Sequence, residues 1–137
     1  MAFDLARLTS TPDLRTVPPV QARLVCAMRY THLARKVNDY SHRGLARHLG
    51  TLCAVQSFHV FMDEAGRAWP EKIVLNPPCQ PAFSYDEMLL VDLATAAARG
   101  ERAQFDDFVH DMIGEGGRNA MWLAARRMMR HLVTGVR

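Results

Sequence analysis

Apolar residues recur along most of this chain at steps of three and four, the spacing that places side chains on one face of an α-helix. The clearest stretch covers residues 19–40, directly after Pro18, and its apolar stripe is broad enough to predict a central helix. The spacing continues over residues 45–64, where we expect one uninterrupted helix that Gly66 ends. Because the connection between these two helices is short, they are expected to pack antiparallel.

The second half of the chain predicts three more helices, separated by glycines. Ser84 and Glu87 have the spacing of a capping box, in which each side chain accepts a hydrogen bond from the other residue's backbone N–H group, and this predicts a helix over residues 84–99. Shorter periodic segments predict helices over residues 101–113 and 118–133. The last helix is expected to point three arginines toward solvent: Arg126, Arg127 and Arg130.

The segments before and between these helices have a different composition. Residues 67–83 contain four prolines, so we interpret them as a crossover loop. Pro12 suits the first position of a short helix in an N-terminal arm, residues 1–17. The sequence therefore predicts an all-α fold, an irregular bundle of about five helices in a single domain of residues 18–137, with that arm in front of it.

The composition is that of a globular protein, with 49% apolar and 23% charged residues among 137. No uncharged apolar run reaches the roughly 20 residues that cross a bilayer. The N-terminus also lacks the basic and apolar blocks of a secretory signal. We therefore expect a cytoplasmic protein without a membrane partner.

The three cysteines, Cys26, Cys53 and Cys79, are odd in number and far apart, so we expect reduced thiols rather than disulfides or a zinc site. Cys26 and Cys53 fall in apolar helical stretches and are predicted to be core residues. Cys79 stands among prolines ahead of the capped helix, whose positive end stabilises a nearby thiolate. It is the candidate reactive thiol; the alternative is a rigid connector that happens to contain a cysteine.

Charge alternates in blocks along the chain. Residues 1–60 hold eight basic residues against three acidic ones, residues 86–115 hold two against eight, and residues 116–137 hold five against none. Basic residues cluster at 29–48 and 118–137, and two such clusters on one surface would bind the phosphates along a nucleic-acid backbone. The residues that would then contact nucleic acid are Arg35, Lys36, Arg43, Arg47, Arg126, Arg127 and Arg130.

Two features weigh against that nucleic-acid hypothesis. The basic side chains can instead be solvated or pair with the acidic block when helices pack antiparallel. Neither a helix-turn-helix spacing nor a row of stacking aromatic residues accompanies them.

No recognised catalytic pattern is present, whether a nucleotide-binding loop, a zinc-protease motif or a nucleophile elbow. The six histidines never lie three or four residues apart, the spacing that would place two of them on one helical face for a metal. Asp107 and His110 share a predicted helix, but we interpret them as part of a solvated acidic surface. The sequence therefore predicts no catalytic residue, no cofactor and no metal ligand, and an enzyme is only the third hypothesis.

One segment, Pro77-Pro-Cys-Gln-Pro-Ala-Phe-Ser-Tyr-Asp-Glu-Met-Leu-Leu, leads from a loop containing proline and cysteine into a helix that starts with two acids followed by apolar residues. Together with the helical pair before it, this segment resembles a family of small bacterial proteins of unknown function, over residues 18–133. The resemblance implies a helical bacterial protein and transfers no catalytic residue.

The leading functional hypothesis is a non-enzymatic protein that forms a homodimer or docks a protein partner through a helical face. It rests on the lack of catalytic motifs and on eight methionines, several in the last predicted helix, which suit an adaptable contact surface. The alternative is that the methionines all lie in the core. Nucleic-acid binding is the second hypothesis, and the sequence identifies no particular partner.

Overall fold

The computed structural model describes residues 12–37 and 42–135 of the chain, and within them it is helical. Six helices lie in this described part: α1 Pro19–Lys36, α2 His42–Leu49, α3 Leu52–Ala68, α4 Tyr85–Arg99, α5 Arg102–Val109 and α6 Glu115–Gly135. The same residues contain no strand, only an isolated antiparallel bridge between Asp13 and Ala82. The predicted all-α bundle is confirmed. None of the described helices combines the length and the apolar character needed to span a membrane.

The centre of the bundle is the pair α3 and α6, which pack against each other antiparallel. A Cβ atom placed on Gly117, near the start of α6, would lie 3.2 Å from the Cβ of Ala68, the last residue of α3. At the other end, Cys53 of α3 and His131 of α6 line the same cavity. The remaining helices surround this pair, and all six contribute fully buried side chains: Leu24, Met28, Leu45, Leu49, Phe58, Phe61, Leu90, Leu93, Phe105, Met121, Met128 and Leu132.

The prediction of one uninterrupted helix over residues 45–64 is wrong. The chain breaks at Gly50, whose φ of 94° is in the left-handed region that favours glycine. Thr51 then caps a new helix, because its side chain accepts a hydrogen bond from the Ala54 N–H at 3.0 Å. Gly66 does not end that helix either, since α3 continues to Ala68.

The later helices agree more closely with their predictions. The capping box of Ser84 and Glu87 is present at the start of α4, and Gly100 ends that helix with a φ of 71°. α5 is shorter than expected and ends at Val109. α6 begins at Glu115 rather than at residue 118, so two of the glycines expected to break the chain are helical.

Residues 69–84, which we call the strap, connect α3 to α4 without regular structure, as predicted. The described end of the N-terminal arm packs against the strap. Phe83 donates its backbone N–H to the Pro12 carbonyl at 2.9 Å, and Leu14 donates to the Pro81 carbonyl at 2.9 Å. Pro12 therefore forms part of the bridged segment rather than opening a helix, and residues 1–11 of the predicted arm lie outside the described residues.

Candidate functional site

A buried ion pair joins the middle of α1 to the first turn of α4. The Nε and Nη2 groups of Arg29 donate to the two carboxylate oxygens of Glu87 at 2.8 and 2.9 Å, a bidentate geometry. The two side chains are only 1% and 0% exposed. Arg29 also donates to the backbone carbonyls of Gln80 at 2.6 Å and Ala82 at 2.9 Å. We call Arg29 and Glu87 the clamp.

The clamp and its neighbour Asp86 hold the strap from the α4 side. Glu87 accepts hydrogen bonds from the backbone N–H groups of Ser84 at 2.8 Å and Asn76 at 3.2 Å. Asp86 accepts from the backbone N–H of Val74 at 2.8 Å. Because the guanidinium and both carboxylates are committed to these bonds, we interpret the clamp as a structural device that fixes the strap.

The sequence contains a signal for each half of the clamp but not for their pairing. The capping-box pattern identifies Glu87, and the structure confirms it, because the Ser84 Oγ accepts a hydrogen bond from the Glu87 N–H at 3.0 Å. Arg29 is a charged residue among apolar neighbours, and such a side chain must find a partner when its helix is buried.

A cavity of about 250 Å³ opens between α1, α3 and the strap, and we call it the strap cavity. Its floor is apolar and consists of Met28, Phe58, Met62, Ile73 and Leu75. Its rim carries four exposed polar side chains, His32, Arg35, Glu71 and Lys72. Gly66 of α3 also lines it. No local sequence pattern indicates this site, because its walls come from three segments that are far apart along the chain.

A second cavity, of about 360 Å³, opens between α3 and α6. It is lined by Cys53, Gln56, Ser57 and Val60 of α3 and by Arg127 and His131 of α6. Val60 is 47% exposed, and Leu123 of α6 is 69% exposed. Seven exposed residues of these helices form what we call the α3–α6 face: Cys53, Gln56, Val60 and Asp63 of α3 with Leu123, Arg127 and Arg130 of α6.

Cys26 and Cys53 both differ from the core positions predicted for them. Cys79 is exposed on the strap. Cys53 is exposed as well, so its assignment to the core is wrong. Cys26 is half-buried. Leu52 and Cys53 begin α3 directly after the break at Gly50, and both are exposed.

Some members of the two basic clusters are committed inside the protein. Arg29 is in the clamp, and the Arg126 Nη1 donates to the Ala97 carbonyl at the end of α4 at 2.7 Å. Arg126 also lies over the ring of Trp122, with its guanidinium carbon 5.4 Å from the ring centroid. Arg126 is thus half-buried, in contrast to the solvent-facing position predicted for it. The Nε of Arg118 lies 3.3 Å from a carboxylate oxygen of Asp106, so it pairs with the acidic block.

The other predicted nucleic-acid contacts lie at the surface. Among the described residues, Arg35, Lys36, Arg47 and Arg127 are exposed and have no ion-pair partner. Arg130 is exposed too. The Arg43 side chain lies outside the described residues. Burial lowers the pKa of His48, so this imidazole is neutral near pH 7 and adds no charge to the cluster.

The exposed basic residues do not all lie at one end of the bundle. Arg127 lines a cavity with Cys53 in the first turn of α3, whereas Arg35 lines a cavity with Gly66 in the last turn of α3. These two positions on α3 are 13 residues apart, which corresponds to roughly 20 Å along a helix. Arg47 is in the last turn of α2, which leads into the start of α3 and so lies toward the Arg127 end.

The acidic pattern around α5 has the solvated character predicted for it. The His110 Nε2 lies 2.9 Å from a carboxylate oxygen of Asp111, and both side chains are largely exposed. Within residues 12–37 and 42–135, no group of three or more His, Cys, Asp or Glu side chains has the arrangement of a metal site.

The methionines do not form a contact surface. Met28, Met121, Met128 and Met129 are buried, and the other described methionines are half-buried. The prediction of an adaptable methionine surface is therefore wrong. Leu123 is the large apolar side chain that α6 exposes among the described residues.

Comparison of this chain with protein-family models, with curated proteins and with solved structures finds no match. The resemblance to a bacterial family stays a prediction, and the function has to be inferred from the geometry of the described residues.

Proposed function

We propose that this chain is a non-enzymatic helical module that forms a homodimer through its α3–α6 face. The observation that carries the proposal is the charge distribution of that face, which is basic at one end and acidic at the other. Exposed apolar side chains, Val60 and Leu123, lie between the two ends.

The separation of basic and acidic residues along the α3–α6 face follows from the antiparallel packing of α3 and α6. Arg127, Arg130 and His131 lie where α3 begins. Asp63, Glu64 and Glu115 lie where α3 ends and α6 begins. Two arginines lie there as well, and each is engaged with a carboxylate: Arg67 pairs with Glu64 at 3.6 Å, and Arg118 lies 3.3 Å from Asp106. A two-fold axis through the middle of the face would set the basic end of one copy against the acidic end of the other. This charge complementarity supports a second copy of the chain as the partner.

The apolar middle of the face supplies the contact area. The cavity between α3 and α6 is open at the surface beside Val60, and Leu123 projects from the neighbouring helix with 69% of its surface exposed. In a two-fold dimer each copy would place its Leu123 against the α3–α6 groove of the other. Burying the exposed apolar surface of Leu123 in this way favours association.

The first test compares two substitutions of equally exposed residues. Leu123→Glu should weaken dimerisation at least tenfold, because it places a charge in the centre of the interface. Tyr85→Glu is the control, since Tyr85 is also 69% exposed but lies at the start of α4 outside the face. Sedimentation equilibrium and light scattering measure both. A strictly monomeric unmodified protein, or equal effects of the two substitutions, would overturn the proposal.

The second test uses the two-fold symmetry. Arg127→Glu and Asp63→Lys should each weaken the homodimer, because each places like charges opposite each other twice. An equal mixture of the two variants should dimerise again. In the mixed dimer the introduced glutamate faces the introduced lysine, and the unmodified Arg127 of one copy faces the unmodified Asp63 of the other. If mixing restores nothing, the α3–α6 face is not a two-fold interface.

Nucleic-acid binding is a second candidate, and the exposed, unpaired Arg35, Lys36, Arg47 and Arg127 favour it. Electrophoretic mobility shifts at low salt should then show binding that Arg47→Gln with Arg127→Gln weakens. The control pair, Arg67→Gln with Arg99→Gln, removes the same charge outside the clusters and should have little effect. Lack of a shift with single- and double-stranded probes removes this candidate.

A further inference from the structure

The strap cavity combines an apolar floor with a basic rim, and the two properties together define a class of ligand. The floor residues Phe58 and Met28 are almost fully buried, so the apolar surface open to a ligand belongs to the half-buried Met62, Ile73 and Leu75. A ligand part that rests on this surface must be apolar, because no floor side chain offers a charge or a strong hydrogen bond. The hydroxyl of Thr31, at the edge of the floor, is already committed to the Ala27 carbonyl at 2.9 Å.

The volume limits the apolar part to a small group. An engineered apolar cavity of about 150 Å³ in another protein binds benzene, and drug-sized ligands occupy about 300 Å³ or more. The strap cavity, at about 250 Å³, lies between these values. It therefore suits a single ring or a chain of roughly six to eight carbons.

The rim is cationic and has a guanidinium available for a ligand. Arg35 and Lys72 outweigh Glu71. Neither Arg35 nor Lys72 has an ion-pair partner among the described residues. A guanidinium binds a carboxylate through two parallel hydrogen bonds, whereas it repels a protonated amine, which is also positively charged. The net charge of the rim thus matches one anionic head group.

The wall formed by the strap is held in place before any ligand arrives. Ile73 and Leu75 of the floor flank Val74, whose backbone N–H is bound to Asp86, and Asn76 follows with its N–H on Glu87. A cavity whose wall is fixed in this way loses little conformational entropy when it binds a ligand.

We propose that the strap cavity binds a small amphipathic carboxylate, with its anionic group between Arg35 and Lys72 and its six- to eight-carbon tail on Met62, Ile73 and Leu75. This proposal does not depend on dimerisation through the α3–α6 face, because that face lies around a different cavity.

Titration calorimetry with octanoate tests the ligand class. Octanoate should bind saturably with one site per chain, octanol should bind at least tenfold more weakly, and octylamine and acetate should not bind. Arg35→Gln should weaken octanoate binding about tenfold, a typical effect of losing a charged hydrogen-bond partner, and leave octanol binding unchanged. If octanoate does not bind, or if octanol binds as tightly and Arg35→Gln changes nothing, the proposal is overturned.

Gly66 allows the cavity to be closed without disturbing the fold. It lines the cavity, and a Cβ atom built on it meets nothing within 4 Å, so the side chain of Gly66→Leu can extend into the space. Leucine also favours the helix more than glycine does. Gly66→Leu should abolish octanoate binding. The control is Gly116→Leu, at an equally open helical position outside the cavity, which should bind octanoate normally. Retained binding in Gly66→Leu would place the ligand elsewhere and contradict the proposal.

Discussion

Arg29 and Glu87, which carry buried charges, are the residues whose removal should lower the stability of this protein most. When one partner of a buried ion pair is removed, the other is left as an uncompensated charge, and the cost is about 3–5 kcal/mol. We expect Arg29→Met or Glu87→Gln to lower the free energy of unfolding by that order, as measured by urea denaturation. Arg67→Met, which breaks the exposed pair with Glu64, is the control and should change it by less than about 1 kcal/mol.

The double variant Arg29→Met with Glu87→Met refines this prediction. It leaves no buried charge, so it should be more stable than Arg29→Met alone. It should not regain the stability of the unmodified protein, because the carbonyl of Gln80 and the N–H groups of Asn76 and Ser84 lose their partners. Single variants within about 1 kcal/mol of the unmodified protein would contradict the structural role of the clamp.

Thiol accessibility gives a second prediction at the scale of single residues. Cys53 and Cys79 are exposed and Cys26 is half-buried within α1, so a maleimide reagent should modify the first two in the folded protein. Cys26 should react at a comparable rate only after denaturation. Mass mapping of labelled peptides over time measures all three, with Cys53→Ser and Cys79→Ser variants to confirm the assignments. Rapid labelling of Cys26 in the folded state would contradict the packing of α1.

Asp92 gives a prediction with a defined pH dependence. Burial raises the pKa of this carboxyl on α4, so the folded state holds its proton more readily than the unfolded chain does. The ionised side chain therefore destabilises the fold above its folded pKa, and this cost disappears as the pH falls. Asp92→Asn should raise the melting temperature at pH 7 but not at about pH 3, where both states are protonated. The exposed Asp107→Asn is the control, and a gain that persists unchanged at low pH would contradict this explanation.

At the scale of elements, local patterns predicted the helices better than they predicted where each helix points. Ser84, Glu87 and Gly100 determine the ends of α4 through hydrogen bonds within a few residues, and such signals are visible in the sequence. The break between α2 and α3 depends on Gly50 adopting a positive φ, a conformation that a helical apolar pattern does not reveal. Val55 and Phe58 of this pattern are buried, but Cys53, which the pattern assigns to the core, is exposed.

The candidate sites were less predictable for a related reason. Arg29 and Glu87 are 58 residues apart along the chain, and the strap cavity draws its walls from α1, α3 and the strap. Each partner has only a weak local signal, because the pairing arises from how helices pack. The four prolines of the loop did exclude a helix there, but they do not indicate which side chains the loop covers.

Two glycines in helical regions give opposite predictions. Gly66 lies inside α3 with open space around its Cβ position, so Gly66→Ala should raise the free energy of unfolding by about 0.5–1 kcal/mol. Gly100 has a φ of 71° where α4 ends, so Gly100→Ala should lower it by about 1–2 kcal/mol through backbone strain. Chemical denaturation of both variants measures the difference. Shifts of the same sign would show that the backbone conformation at one of the two glycines is assigned incorrectly.

At the scale of the whole molecule, the alternating charge blocks are partly used for packing. Arg118 pairs with Asp106 of the acidic block, and Arg126 binds the last turn of α4. Arg127 and Arg130 remain at the surface of α6. The sequence predicted that the blocks could satisfy one another, and the structure shows which arginines do so. The exposed Arg127 contributes to the polarity of the α3–α6 face, on which the proposed dimer depends.

The clamp also has a consequence for how the molecule opens. Backbone amides in loops normally exchange their hydrogens with solvent through small local fluctuations. The amides of Asn76 and Ser84 are bound to Glu87, which is itself bound to α1, so neither is released unless α1 and α4 separate. In native-state hydrogen exchange they should therefore have protection close to that of Leu90 in the core of α4. The exposed Cys79 amide at the tip of the same strap should exchange far sooner. Fast exchange at Asn76 would mean that strap and bundle unfold separately rather than as one cooperative unit.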